Sequence, residues 1–359
     1  MGTNTRILVI NPGSTSTKIA IYQQDKVIFL KTIKHAPEVL RKFERITDQY
    51  EYRKNVIYEE LKGADVPIDT IDAVIGRGGM VKPIASGVYR VNEAMRNDLL
   101  ECKRGEHASN LGALIAADIA KLLPSAEAFI ADPVVVDELQ PLARYSGHPN
   151  FERRSVFHAL NQKAVARSHA KSIMKKYEDL NLIVVHLGGG ITVGAHQKGK
   201  VIDVNQGLDG DGPFSPERSG SLPVGQLLKV AFSGIYSYEK MTEMIVGKGG
   251  MMAYLGTNDA YIAEREARNG DKKCMEVLEA MAYQVAKEIG AMSTVLKGEV
   301  DAILITGGIA NSKWFCNLIS ERVYRIAPVH LYPGQDEMSA LAENALLALN
   351  GEIEIKEYQ

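Results

Sequence analysis

Ile7-Leu8-Val9-Ile10-Asn11-Pro12-Gly13-Ser14-Thr15-Ser16-Thr17-Lys18 sets four apolar residues against a turn of glycine and small hydroxyls. A second apolar run, Ile19 to Tyr22, follows; then come a polar turn, Gln23 to Lys26, and a third run, Val27 to Leu30. Short apolar runs bounded by such turns read as strand, turn, strand, turn, strand. The same order returns over 182–202: Leu182-Ile183-Val184-Val185, then His186-Leu187-Gly188-Gly189-Gly190, then Ile191 to Ala195, then Lys200-Val201-Ile202. At an offset of 175 residues, Asn11 falls on His186, Gly13 on Gly188 and Thr17 on Thr192. Dropping one residue from the second turn brings Lys26 to Ile28 onto Lys200 to Ile202. A repeat near half the chain length predicts two domains of one topology.

Outward from these segments, strands alternate with helices. Ile71 to Ile75, Ala128 to Ala131 and Ala302 to Ile305 are apolar runs that end at Gly76-Arg77-Gly78-Gly79, Asp132-Pro133 and Thr306-Gly307-Gly308. Apolar residues three or four apart mark helices over 111–123, stopped by Pro124, and over 274–296. A closing helix is expected over 337–350, with Gly351 just beyond it. Such alternation predicts α/β domains, and 359 residues hold roughly two at about 150 each. The expected domains are 1–150 with 335–359, and 151–334, with crossings near 141–152 and 333–336.

Composition removes several classes. With 42 basic and 44 acidic residues, the chain has no bulk positive charge to recruit nucleic acid or an anionic membrane. No run reaches the 18 or so apolar residues of a membrane helix. Met1 to Arg6 is short and polar, unlike a signal peptide, and Arg6 stands where a myristoylation motif asks for Ser or Thr. Cys102, Cys274 and Cys316 are odd in number and far apart, which fits reduced thiols. A cytoplasmic protein with small-molecule partners, and neither nucleic-acid nor membrane partners, is expected.

In open α/β sheets, ligands bind at the carboxyl ends of strands, and the glycine and polar clusters lie there. Consecutive N–H groups in a glycine-rich turn make an anion-binding concavity. Two such loops, facing each other across a cleft, would suit a polyphosphate. Neither a P-loop nor a dinucleotide fingerprint is present: Gly247-Lys248-Gly249-Gly250 lacks the hydroxyl after lysine, and no third glycine follows Gly188-Gly189-Gly190 at the required spacing. One glycine cluster alone is more often a tight turn; recurrence at strand ends in duplicated order favours anion sites.

At this point the residues carry a resemblance. Ile10 to Lys18 resembles the first signature of the acetate/butyrate kinase family, and Val185 to Gly190 its second. The resemblance continues in order. Arg77 is similar to the family's first active-site arginine, His107-Ala108-Ser109-Asn110 to its substrate segment, and Asp132 to its catalytic-site aspartate. Arg154 to His158 is similar to an Arg-x-x-Phe-His stretch, and Arg218-Ser219-Gly220 to the second arginine. Thr306 to Asn311 is similar to the adenosine loop, and Asp336-Glu337 to the acidic pair opening the last helix. The resemblance implies an α/β protein of two duplicated actin-like ATPase (ribonuclease H-like) domains around a central cleft. It also implies a homo-oligomer using ATP/ADP and Mg²⁺. Within the family the chain is most similar to butyrate kinases. It departs from the acetate kinase pattern at Ser221, Leu222 and Pro223, where acidic residues are usual, and at Tyr261, where an arginine is.

The implied reaction is butyrate + ATP = butyryl phosphate + ADP by direct in-line transfer. Isobutyrate, another short-chain acid or acetate are alternative acceptors. A carboxylate is already ionised near neutral pH, its reference pKa being about 4, so no general base is needed. Repulsion between two anions is the obstacle, and positioning with positive charge overcomes it. On this reading Arg77 and Arg218 grip the carboxylate and the in-flight phosphoryl as permanently charged forks. His186 bonds phosphoryl oxygens, His107 and Asn110 position substrate, and Asp132 orients an arginine. Asn11 and Glu337 hold Mg²⁺ directly or through water. Ser14, Ser16, Lys18, Gly188, Gly189 and Gly190 hold phosphates; Gly307, Gly308, Ile309 and Asn311 face the adenosine. Plainer roles exist too. Asp336 and Glu337 suit a helix N-terminus, Asn311 or Ser312 a cap for a helix starting near Lys313, and Asp209 with Asp211 a solvated turn. A chaperone- or actin-type ATPase would have no use for two substrate arginines. A sugar kinase would need a general-base carboxylate, for which Asp132 is the candidate.

Overall fold

A computed structural model describes residues 4–64, 66–334 and 336–359; the expectation for Met1 to Thr3 lies outside them. Packing divides the chain into two compact units, Met1–Val136 with Asp336–Gln359, and Asp137–Gln335. Among the described residues the strands are β1 (Arg6–Pro12), β2 (Ser16–Gln23), β3 (Lys26–Lys34), β4 (Ala73–Arg77), β5 (Val88–Arg90), β6 (Glu127–Ala131), β7 (Asn181–Leu187), β8 (Ile191–Gln197), β9 (Lys200–Val204), β10 (Ala302–Gly307), β11 (Val329–Pro333) and β12 (Ile355–Glu357). The helices that matter here are α1 (Tyr50–Lys62), α2 (Asn110–Lys121), α3 (Ala159–Ser172), α4 (Ala260–Arg268), α5 (Lys272–Val295), α6 (Lys313–Val323) and α7 (Glu337–Leu349).

The first unit is built on a seven-stranded sheet in the order β12-β5-β6-β4-β1-β2-β3, and the second on five strands in the order β11-β10-β7-β8-β9. In each, an antiparallel hairpin meander joins a parallel strand at its first member: β4 beside β1, and β10 beside β7. Alternate residues of β7 enter different cores. Ile183 and Val185 pack with Leu278, Met281, Val285 and Ile289 of α5. Leu182 and Val184 pack with Ala166 and Ala170 of α3. A strand buried on both faces must be apolar throughout, which is why this run lacks polar alternation. In the first unit Leu8 and Ile10 pack with Leu111 and Ile115 of α2 and Ile57 and Leu61 of α1.

The duplication extends to an irregularity. β2 and β3 slip by one residue between Ile21 and Tyr22, and β8 and β9 slip between Ala195 and His196. Such bulges sharpen local twist. Strand pairing corrects one detail of the sequence alignment. Asn11 pairs with Lys18, but His186 pairs with Thr192, so the glycine turn is one residue shorter in the second unit. The following turns are equal, Gln23 pairing with Lys26 and Gln197 with Lys200. Thr192 therefore corresponds to Lys18, not to Thr17, and the missing residue belongs to the first turn. The Gly13 amide reaches Ser16 O at 2.7 Å, whereas the Gly188 amide reaches Gly190 O at 3.1 Å. Three successive glycines close the loop with one residue fewer.

Gly76-Arg77-Gly78-Gly79 has a packing explanation. A Cβ at Gly76 would overlap the backbone of Gly112 on α2, one at Gly78 would sit 2.7 Å from Pro133 Cβ, and one at Gly79 would overlap Asn110. These glycines let α2 lie directly on the end of β4, which fixes where Arg77 points.

A pH-dependent contribution lies in the second unit. Glu288 on α5 is raised to about 7, first by burial and then by Asp211 and Asp203, with Arg153 and Lys287 opposing. Arg153 Nη1 is committed to Asp203 Oδ1 at 2.9 Å. A carboxyl raised from its ordinary 4.5 keeps its proton when folded and loses it when unfolded between those values. Stability therefore falls as pH rises from about 4.5 to about 7. Glu288→Gln is expected to remove this slope and to gain about 3 kcal/mol above pH 7. Urea unfolding of both proteins at pH 5 and pH 8 checks it through their difference. That comparison is needed because His35, lowered to about 4, destabilises in the opposite direction as pH falls.

Candidate active site

In the first unit, three residues far apart in sequence meet at one end of the sheet. Asn11 stands near the end of β1, Arg77 ends β4 and Glu337 opens α7. Glu337 Oε2 accepts from Asn11 Nδ2 at 2.8 Å, and its Oε1 pairs with Arg77 Nη2 at 2.9 Å. Arg77 Nη1 lies 3.5 Å from Asn11 Oδ1. Asp336, not Glu337, caps α7, accepting from the Ser339 amide at 2.9 Å. Glu337 is thus committed to the cluster rather than to its own helix end. One carboxylate and one carboxamide oxygen are the sparse donor set that suits a magnesium ion keeping most of its waters. No cluster of three or more His, Cys, Asp or Glu side chains that could hold a metal ion occurs among the described residues.

Asp132 follows β6, is 1% exposed, and adopts a left-handed φ of 39° that costs a non-glycine residue strain. Its Oδ1 accepts from Ser86 Oγ at 2.5 Å and from the Gly87 amide at 2.9 Å. His107 is exposed, with Nδ1 2.7 Å from Ser109 Oγ. Asn110, expected to touch substrate, is fully buried at the start of α2. Its Oδ1 accepts from the Met80 amide at 2.8 Å and its Nδ2 donates to Gly105 O at 3.1 Å. With both ends of its amide hydrogen-bonded to backbone, it staples two loops beside Arg77. Ser14 and Lys18 are exposed and Ser16 half-buried, while Thr17 turns inward.

In the second unit, His186 is 1% exposed, with Nδ1 2.7 Å from Asn161 Oδ1. Its ring stacks on His158 at 3.8 Å and 11°, and His158 Nδ1 lies 2.9 Å from Thr192 Oγ1. The glycine triplet is shaped by these side chains. A Cβ at Gly188 would come within 2.8 Å of His186 Nε2, and one at Gly190 would overlap the Arg218 guanidinium. Arg218 Nη1 donates to Gly207 O. Burial pulls the Arg218 guanidinium below its ordinary value, against Glu217 and Asp209; arginine nonetheless stays charged in proteins. Ser215 Oγ donates to Gly189 O at 2.6 Å, tying the arginine's turn to the glycine loop.

A cavity of about 900 Å³ adjoins this loop, lined on one side by Gly188, Gly189 and Asn258 and on the other by Gly308, Ile309 and Asn311. That volume is of the size that holds a nucleoside. Gly307, expected to face adenosine, does not line it. Its φ of 95° and its missing Cβ let β10 pass against the Leu187 backbone. Asn311 Nδ2 donates to Gly308 O at 2.9 Å, and Ser312 caps α6 by accepting from the Phe315 amide at 3.0 Å. Tyr261, marked in the sequence as a departure from the acetate kinase pattern, lines the cavity, and sequence reasoning missed Glu264, Arg268 and Trp314, which also line it. Arg268 lies 5.6 Å over the Trp314 ring and pairs with Glu264 at 2.8 Å. The chain's one tryptophan, just after the adenosine-loop motif, was the available signal. Asp209 and Asp211 form a self-satisfied turn: Asp211 Oδ2 accepts from the Gln206 amide at 2.9 Å and Asp209 Oδ2 from Gln206 Nε2 at 2.7 Å.

Residues 144–331 match the acetokinase family. Over 354 residues, 99% of both chains, the sequence is 55% identical to butyrate kinase 1 of Clostridium acetobutylicum. The crystal structure of Porphyromonas gingivalis acetate kinase superimposes with a TM-score of 0.78 at 19% identity, over 96% of this chain and 100% of that one. A propionate kinase from Francisella tularensis gives 0.71 at 19% identity, over 95% and 98%. At such identities the two structures bear on the fold, and both share the duplicated α/β architecture. The match in sequence goes further: the chain belongs to the acetokinase family.

Proposed function

We propose that the protein transfers the γ-phosphoryl group of ATP to butyrate, giving butyryl phosphate and ADP. The observation that carries this reading is full-length identity of 55% to a butyrate kinase. The geometry agrees with it. A carboxylate nucleophile needs no base, and the polar groups in hand are charges and donors. Asp132, the candidate base for a hydroxyl acceptor, is buried, and its Oδ1 accepts from Ser86 and Gly87. That arrangement disfavours a sugar kinase.

Each residue then has a task set by its surroundings. Arg77, oriented by Glu337 and Asn11, binds the acceptor carboxylate or the phosphoryl oxygens, and Arg218 offsets charge on the phosphoryl group as it moves. His186 Nδ1 lies 2.7 Å from Asn161 Oδ1, which holds the ring with Nε2 beside Gly188, where it meets a phosphoryl oxygen. Asn110 acts through Met80 and Gly105, holding the segment that follows Arg77. Gly308, Ile309, Asn311 and Trp314 receive the nucleoside. Mg²⁺ entering with ATP would be held by Glu337 and Asn11, directly or through water, and supplies charge neutralisation when bound.

The test is kcat/KM across acetate, propionate, butyrate, isobutyrate and valerate with ATP and Mg²⁺. Butyrate is expected to lead, with each methylene added or removed costing roughly tenfold or more. A maximum at acetate overturns the choice of acid, and no turnover of any carboxylate overturns the kinase reading.

A further inference from the structure

Arg53 on α1 heads the fully buried side chains by size, at 0% exposure, and none of the roles above uses it. Its donors end on neutral oxygens. Nε and Nη2 reach Gln49 Oε1 at 3.0 and 2.7 Å. Nη2 also reaches Ser14 O at 2.9 Å, and Nη1 reaches Gly13 O at 2.7 Å. Longer bonds run from Nη1 to Ser16 O at 3.4 Å and Thr17 Oγ1 at 3.3 Å. None of its described partners is a carboxylate. Thr17 Oγ1 lies 2.8 Å from His35 Nε2, and burial with the nearby Arg53 charge lowers His35 to about 4, so this ring stays neutral and adds no second positive charge.

Burying a cation without a counter-ion is costly, and such a charge persists where surrounding dipoles are aimed at it. Here the dipoles belong to the first glycine loop. In a trans peptide the C=O and the following N–H point in opposite directions. Turning the Gly13 and Ser14 carbonyls inward onto Arg53 therefore turns the Ser14 and Thr15 N–H groups outward. Both residues are exposed, and neither N–H has a described bond to the protein. Two adjacent outward amides over a fixed positive charge form an anion-binding concavity.

We propose that Arg53 is a positioning residue whose uncompensated charge, acting through the Gly13–Ser16 loop, prepares the Ser14 and Thr15 amides for a phosphoryl anion of ATP. The proposal rests on the phosphotransferase reading and adds to it a residue that touches no substrate.

Gln49 allows the charge to be cancelled without disturbing the geometry. Gln49→Glu puts a carboxylate where the carboxamide oxygen already receives two guanidinium bonds, and so gives Arg53 its counter-ion. Gln49→Met removes those bonds and adds no charge. The expected results cross over. Gln49→Glu melts at or above the parent's temperature, yet binds MgATP about tenfold more weakly by calorimetry and has a kcat lowered to a similar degree. Gln49→Met melts lower but keeps the greater share of affinity. If stability and activity move together across the three proteins, or if Gln49→Glu binds and turns over as the parent does, the proposal is overturned. A Gln49→Glu protein that fails to fold overturns it too, since the counter-ion should stabilise. Should the parent phosphorylate no carboxylate while Gln49→Glu still weakens MgATP tenfold, the kinase reading fails and the Arg53 role stands. An active parent with an unaffected variant removes Arg53 alone.

Discussion

Arg218→Ala is expected to lower kcat/KM by about a thousandfold or more, with a circular-dichroism spectrum unchanged from the parent. An arginine that neutralises charge in phosphoryl transfer is worth roughly 10³- to 10⁵-fold. Arg218 is placed to supply that charge from a half-buried setting: its guanidinium fills the space that Gly190 leaves open, and Nη1 donates to Gly207 O. Charge acts over longer range there than in water. Arg218→Lys should recover little, about tenfold at most, because an ammonium cannot reproduce the fork that lies along the glycine loop. Steady-state rates with butyrate and ATP measure both variants. Turnover of Arg218→Ala within a few-fold of the parent would remove the charge-neutralising role.

The second large effect belongs to Glu337. Glu337→Ala removes the acceptor shared by Asn11 and Arg77 and leaves a cation that is only 22% exposed without its partner. Breaking a buried pair on one side costs about 3 kcal/mol, so the melting temperature should fall along with the rate. A drop of about a hundredfold in kcat is expected, with the Mg²⁺ concentration for half-maximal rate raised about tenfold. The two readouts separate two roles. A fall in kcat with an unchanged Mg²⁺ titration would assign Glu337 to holding Arg77 and withdraw it from the metal. Parent-like values of both would withdraw it from the site.

Sequence alone reached the strands and the long helices because their signals are local. The apolar run 182–185 became part of β7, and the helical spacing over 274–296 became α5, Lys272–Val295. The duplicated hairpin was also legible, although its missing residue was put in the wrong turn. Glycine and small hydroxyls look alike as turn formers, and only cross-strand pairing shows which connection is shorter. The meeting of Asn11, Arg77 and Glu337 followed from resemblance, since no spacing rule joins positions 11 and 337. What stayed hidden was tertiary: Asn110 spent on backbone partners, Gly307 pressed against a strand, and Arg53 under the first loop. An arginine at position 53, in a mostly polar helical stretch, gives no sign of which way it faces.

The first unit is discontinuous, and this bears on how a ribosome delivers it. Residues up to Val136 leave the exit tunnel early, but β12 must still pair with β5, and Glu337 must still reach Arg77. Nearly two hundred residues of the second unit are synthesised in between. A nascent chain halted before α7 holds a six-stranded sheet that ends at β5 instead of β12, and a guanidinium lacking its carboxylate. Domains tend to mature in the order of synthesis; here the later unit can finish first, and closure of the earlier one becomes the last step of assembly.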